Sequence, residues 1–154
     1  GYPGWVRASH LTDPVGPSPR APLPTAGPGT THGHPLVALA RQHLDLPYLW
    51  GGLSPHGLDC SGLVHWCYRE LGVVVPRDAD DQQDACRDVP LEQVQSGDLY
   101  FFRYPGAAGA HHVGIVTGPG SMIHAPETGQ GIMHGPLDPG RLATFAGAGR
   151  LPLS

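Results

Sequence analysis

The sequence predicts an α+β domain in which an antiparallel sheet packs on a helix. Three observations predict it: apolar residues recur at helical spacing in the first half, β-rich segments follow in the second, and turn residues join the last of these. A chain of 154 residues suffices for one compact domain, and at that size folding buries roughly 70% of the surface of the unfolded chain. Charged residues make up only 14% of it; lysine is absent and nine arginines are scattered singly, so no basic patch for nucleic acid is readable. The formal net charge of −4 argues against polyanionic partners and leaves small or peptidic ones open. No apolar run approaches the roughly 18 residues of a membrane span, no signal peptide is readable at the start, and no compartment is written in these residues.

Residues 1–13, "GYPGWVRASHLTD", read as a turn and a short strand, with Tyr2 and Trp5 as sheet-friendly aromatics around the Pro3–Gly4 bend. Prolines and glycines crowd residues 14–33, which therefore form an extended linker lacking the donors for regular pairing. The chain thus reads as the tail of one domain tethered to a second that spans 34–154. In the second, Pro35 opens a helix over 35–46 whose apolar face is Leu36, Leu39, Ala40 and His43 or Leu44. A glycine-rich loop over 47–59 follows. From Cys60 the stripe Leu63, Val64, Cys67, Leu71 marks a buried helix, and Gly72 is placed to cap its end.

"GVVVPR" is short and extended, and residues 78–86 form a polar helix with its acids in the first turn, where the helix dipole favours them. Strands are expected over 99–104, 111–118 and 121–126, the last two joined as a hairpin through "TGPGS". Residues 131–134 and 148–152 are expected as short edge strands.

Chemistry concentrates in "GLDCSGLVHWC". Cys60 stands at a helix N-terminus, where orphan amides and the positive end of the macrodipole stabilise a thiolate. Asp59 is a capping residue, while Ser61 and Gly62 keep the first turn slim, so its amides are open to a developing oxyanion. A nucleophilic thiol needs a base and an orienting group. Alternation along "HHVGIVTG" sends His112, Gly114 and Val116 to one face and His111, Val113 and Ile115 to the other, and pairing across the hairpin brings His112 and His124 together. Alternation alone does not choose between His111 and His112, and His134 in "GIMHG" rivals His124.

The ordered stretches "PYLWGG…GLDCSGLV", "PRDADDQ", "SGDLYFF", "HHVGIV" and "MIHAP" resemble the NlpC family of bacterial cell-wall cysteine peptidases over about residues 34–152. The resemblance implies a papain-like core and hydrolysis of the γ-D-glutamyl to diamino acid bond of peptidoglycan stem peptides; no cofactor is expected, and the compartment stays open between the cell envelope or the outside of the cell, which are favoured, and a recycling role in the cytoplasm. It matches Cys60 to the nucleophile, His112 to the base and His124 to the third polar residue. It matches Tyr48 to a tyrosine lining the site, and Asp59, Ser61 and Arg77 to contacts of the acyl-side dipeptide; Trp50 is a rim or core aromatic, counted with these contacts. "GYPGWVRASHL" resembles the last strand of the bacterial SH3-like domain that often precedes this peptidase. One departure is Ala79, where relatives carry a serine or threonine.

Each residue also has a plainer reading. Cys67 lies two turns along the apolar stripe and belongs to the core, and Cys86 ends a polar helix. A lone Arg77 is ordinarily a solvated charge. Ten histidines form no metal-binding spacing. Two other functions share the same residues: an inactive module that binds stem peptides, and an amidase or acyltransferase using the same triad on another acyl group.

Overall fold

A computed structural model describes residues 34–54 and 57–152. The strand and SH3-like resemblance expected within 1–13 and the linker expected at 14–33 lie outside the described residues. The elements run α1 (Pro35–Gln42), β1 (Leu53–Ser54), β2 (Gly57–Leu58), α2 (Cys60–Glu70), α3 (Ala79–Ala85), β3 (Arg87–Val89), β4 (Leu99–Phe102), β5 (His112–Gly118), β6 (Ser121–His124), β7 (Met133–Pro136), α4 (Pro139–Ala143) and β8 (Phe145–Arg150). Six strands form one antiparallel sheet in the order β3-β8-β4-β5-β6-β7.

Helix α1 starts as expected with Pro35 in its first turn, and the His34 ring accepts the Leu36 amide at 3.2 Å. It stops at Gln42 rather than at residue 46. Asp45 adopts a positive φ of 71°, outside helical space, and its amide turns to the Ile132 carbonyl at 2.9 Å. The following loop is more ordered than its glycines suggest: β1 and β2 pair as a minimal hairpin, and Tyr48 bridges to Leu58.

Helix α2 buries Leu63, Val64, Cys67 and Tyr68 completely against the sheet. Removing one such side chain from water stabilises the fold by about 1.5–3 kcal/mol. Gly72, just past the helix end, takes φ 80°, and its amide closes on the Arg69 carbonyl at 2.9 Å. Strand β5 divides its side chains as alternation requires: Val113 and Ile115 join the core under the helices, while Val116 packs with Tyr100, Phe102 and Met122 on the other face. The β5–β6 hairpin forms through Pro119–Gly120 with Ile115 opposite Ile123.

Two sheet positions differ from expectation. Of the segment 148–152, residues 148–150 belong to β8, an interior strand between β3 and β4, and β3 supplies the edge instead. The short "RDV" of β3 carries little apolar alternation, so its strand state comes from pairing with β8. Asp98, almost fully buried ahead of β4, binds Arg150 at 2.6 and 2.9 Å and accepts the Gln95 amide at 2.8 Å, which fixes the entry of β4 to the end of β8. Segment 131–134 is an edge strand as expected, shifted to 133–136.

Candidate active site

Asp59 accepts the Gly62 amide on Oδ1 at 2.6 Å, the N-cap geometry that starts α2. Cys60 follows as the first helical residue and opens on a cleft of about 380 Å³. The cleft is also lined by Tyr48, Trp50, Tyr104, His111, His112, the segment Pro126–Thr128 and Arg141. A larger cavity of about 580 Å³, bordered by Asp80, Asp84, Asp88, Arg103 and Cys86, has no histidine beside its thiol. The smaller cleft is the one with reactive chemistry.

His112 is the first residue of β5 and His124 the last of β6, both nearly buried. His112 Nε2 and His124 Nδ1 lie 2.8 Å apart. That bond occupies one ring nitrogen of His112 and leaves Nδ1 for a proton from elsewhere. For Nδ1 to act as a base, the Nε2–H must donate to His124 Nδ1, and His124 must carry its proton on Nε2. His134, the rival for this place, lies on edge strand β7 and bonds Thr117 Oγ1 at 2.8 Å instead. His111 lies just outside the strand, stacked on Tyr104 with centroids 3.6 Å apart.

Burial sets the charges of this group. It pulls the His112 imidazole down to about 2, helped by Arg141, His124 and His111, and pulls His124 down to about 4, again with Arg141. Burial and the nearby Asp59 carboxylate push the Cys60 thiol up, against backbone amides of Val113, Ser61 and Cys60 that favour the thiolate. Sequence reasoning counted only that helix-terminal stabilisation; desolvation outweighs it in the closed fold. Both shifts favour the uncharged forms of the thiol and the imidazole. Consistently, Cys60 Sγ donates to the His111 carbonyl at 3.9 Å.

Tyr48 lines the cleft, its hydroxyl pushed up to about 12 by burial and by the neighbouring Cys60 and Asp59. Trp50 lies at the rim with 79% of its surface exposed, so it is no core aromatic. Asp59, Ser61 and Arg77 face one another: Arg77 reaches Asp59 Oδ2 at 2.8 Å and Ser61 Oγ at 2.9 Å, and the Gly51 amide adds 3.0 Å to Asp59 Oδ2. None of the three is among the described residues lining the cleft. Their first role in this fold is to hold the turn before Cys60. Ala79 packs in the core with Cys60, Cys67 is fully buried, and Cys86 is half-buried.

Sequence reasoning missed three contributors. Gln82 is completely buried and donates from Nε2 to the Ser61 and Pro76 carbonyls at 3.0 and 2.8 Å, bracing the first turn of α2; its place in "PRDADDQ" was the available signal. Tyr104 comes from the loop after β4 and Arg141 from the short helix α4, and no local pattern announces them. Asp78, Asp80 and Asp81 bring carboxylate oxygens within 4.8 Å of one another, but all three are exposed at the start of α3, where the helix dipole already favours them.

A Gamma-D-glutamyl-L-lysine dipeptidyl-peptidase of Bacillus subtilis (strain 168) is 50% identical over 98 residues, which is 63% of this chain and 33% of that protein. The murein DD-endopeptidase MepH of Escherichia coli (strain K12) is 43% identical over 95 residues, 59% of this chain and 35% of that protein. This chain thus spans about a third of the length of either relative. The crystal structure of an NlpC/P60 family protein from Bacillus cereus ATCC 10987 superimposes with a TM-score of 0.73 at 40% identity, covering 77% of this chain and 40% of that one, and its papain-like α+β fold is the fold found here. The NlpC/P60 family model matches residues 45–145, a span that holds Cys60, both strand histidines and Arg141. With more than half of the sequence inside that match, the chain belongs to the NlpC/P60 family.

Proposed function

We propose that this chain is a cysteine endopeptidase that hydrolyses the γ-D-glutamyl to diamino acid bond of peptidoglycan stem peptides. One observation carries the reading: the 2.8 Å His112–His124 bond lies beside a cleft that Cys60 and His112 both line. The choice of bond follows the name of the Bacillus subtilis relative.

In this mechanism Cys60 Sγ attacks the γ-carbonyl carbon of the D-glutamyl residue while its proton passes to His112 Nδ1. His124 Nδ1 accepts the Nε2–H of the resulting imidazolium and fixes its plane. Amides at the start of α2 receive the oxyanion. The C–N bond then breaks, the leaving amine takes the proton from His112, and a thioester remains on Cys60. Water attacks that thioester, its proton passing through His112, and the C–S bond breaks to release a γ-carboxyl and restore the thiol. Tyr48 and Trp50 flank the bound peptide. Asp59, Ser61 and Arg77 contact the acyl-side dipeptide from the network they already share. Residues 34–154 form the peptidase domain; 14–33 tether it to an SH3-like neighbour whose tail is 1–13.

Incubation with L-Ala-γ-D-Glu-meso-diaminopimelate should release diaminopimelate, with loss of at least about a thousandfold in rate for Cys60→Ala. Unchanged turnover in that variant would sink the reading. A second reading, cleavage of another stem-peptide bond by the same residues, is favoured by the likeness to a murein DD-endopeptidase. Product masses from a cross-linked muropeptide separate the two.

A further inference from the structure

Arg141 is the third residue of α4, and it lines the same cleft as Cys60, His111 and His112. Two contacts hold it there: its own amide donates to Asp138 Oδ1 at 2.8 Å, and its guanidinium carbon sits 5.8 Å from the centroid of the Phe102 ring. An aromatic face satisfies a cation only partly, compared with a carboxylate. Among the described residues, the Arg–carboxylate pairs within 4.0 Å are Arg77–Asp59 and Arg150–Asp98, so no carboxylate reaches Arg141. Glu127, across the cleft, accepts from Gln130 at 2.7 Å, and Asp138 caps α4.

A cation so placed opposes the chemistry beside it. Its charge lowers the basicity of His111, His112 and His124, yet His112 must become cationic when it takes the thiol proton. An anion brought by the substrate and seated on the guanidinium removes that opposition at the moment it matters. The side of the cleft is also defined. The leaving amine receives its proton from His112, so the leaving residue lies along the histidine wall, which Arg141 shares; the acyl part faces the first turn of α2.

We infer that Arg141 binds a free carboxylate of the amino acid whose amine is expelled, and so selects substrates that carry one there. This rests on the peptidase reading and adds the group that chooses the leaving side. The carboxylate has two chemical sources, the α-carboxyl of a terminal residue and the side-chain carboxyl of a dicarboxylic diamino acid.

Three tripeptides separate these sources: L-Ala-γ-D-Glu-L-Lys, its C-terminal amide, and the meso-diaminopimelate analogue amidated only at the α-carboxyl. With the full chain, kcat/KM for at least one carboxylate-bearing substrate should exceed that of the lysine amide about tenfold, mostly through KM. The ratio should fall to about one in Arg141→Gln and be partly kept in Arg141→Lys. Equal ratios in the parent and Arg141→Gln overturn the inference. Calorimetric titration of the same peptides into Cys60→Ala, with and without Arg141→Gln, gives a readout independent of turnover. Carboxylate-dependent affinity that vanishes with Arg141 upholds the inference even if no peptide is cleaved, while affinity blind to the carboxylate overturns it even if all are.

Discussion

Arg77 reaches Asp59 Oδ2 at 2.8 Å, with 24% and 12% of the two side chains exposed, and through that bond steadies the cap directly ahead of Cys60. Asp59 thereby serves four structural partners, the Gly62 amide, the Gly51 amide, the Ser61 hydroxyl and the guanidinium, before any substrate arrives. Even with Arg77 beside it, the Asp59 carboxylate still raises the pKa of the neighbouring thiol.

Arg77→Met, which keeps aliphatic bulk and removes the charge, should therefore cost about 1–3 kcal/mol, below the full value for a buried pair because part of it is solvated. It should also slow alkylation of Cys60 by iodoacetamide at pH 7, since the bare Asp59 charge pushes the thiol further up. Urea unfolding and a timed labelling assay check both; a variant matching the parent in stability and labelling would show the pair to be incidental.

The histidine pair predicts how stability follows pH. In the folded chain His112 is held near 2 and His124 near 4, against an ordinary 6.5 that both regain on unfolding. As pH falls below 6.5 the unfolded chain takes up protons that the native state refuses, so stability is full above that value and drains away through the window down to about 4 for His124 and 2 for His112. At pH 5.5 the pair together should cost about 2–3 kcal/mol. His34, His43 and His111 shift the same way from more exposed positions, so the comparison is with His112→Gln/His124→Gln. Its urea midpoint should change less between pH 7.5 and 5.5 than that of the parent; identical pH dependence would refute the assignment.

Gly114 lies two residues along β5 from His112 and next to His124. A Cβ there would collide with Met122 Sδ and crowd His124 Cβ at 3.3 Å. Gly114→Ala should cost about 1–3 kcal/mol by overpacking, and by displacing His124 it should lower kcat about tenfold. Ile115→Val, a cavity of about 0.5–1.5 kcal/mol one residue away, should leave kcat near the parent value. Equal kcat in both variants at matched stability would show that the position of His124 does not limit the reaction.

Much of this was legible in the residues. The α2 stripe, the Asp59 cap, Gly72 beyond the helix end and the β5–β6 hairpin all appear where local spacing places them, because each depends on contacts within a few positions. Strand β3 and the interior place of β8 were not legible, since their state comes from pairing with residues tens of positions away. The early stop of α1 has the same origin: Asp45 and Leu46 are claimed by backbone partners around Ile132.

At the site the division is similar. By itself the sequence determined that a cysteine would open a helix and that two histidines would share one face of a hairpin, because helix capping and strand alternation are local rules. Only the tertiary structure decided that His124 rather than His134 meets His112, that Asp59, Ser61 and Arg77 bind one another, that burial pushes the thiol up, and that Arg141 enters the cleft. Each of those outcomes depends on how much water is excluded and which distant charges come near when the sheet closes on α2, and burial and Coulomb energy are properties of the packed chain.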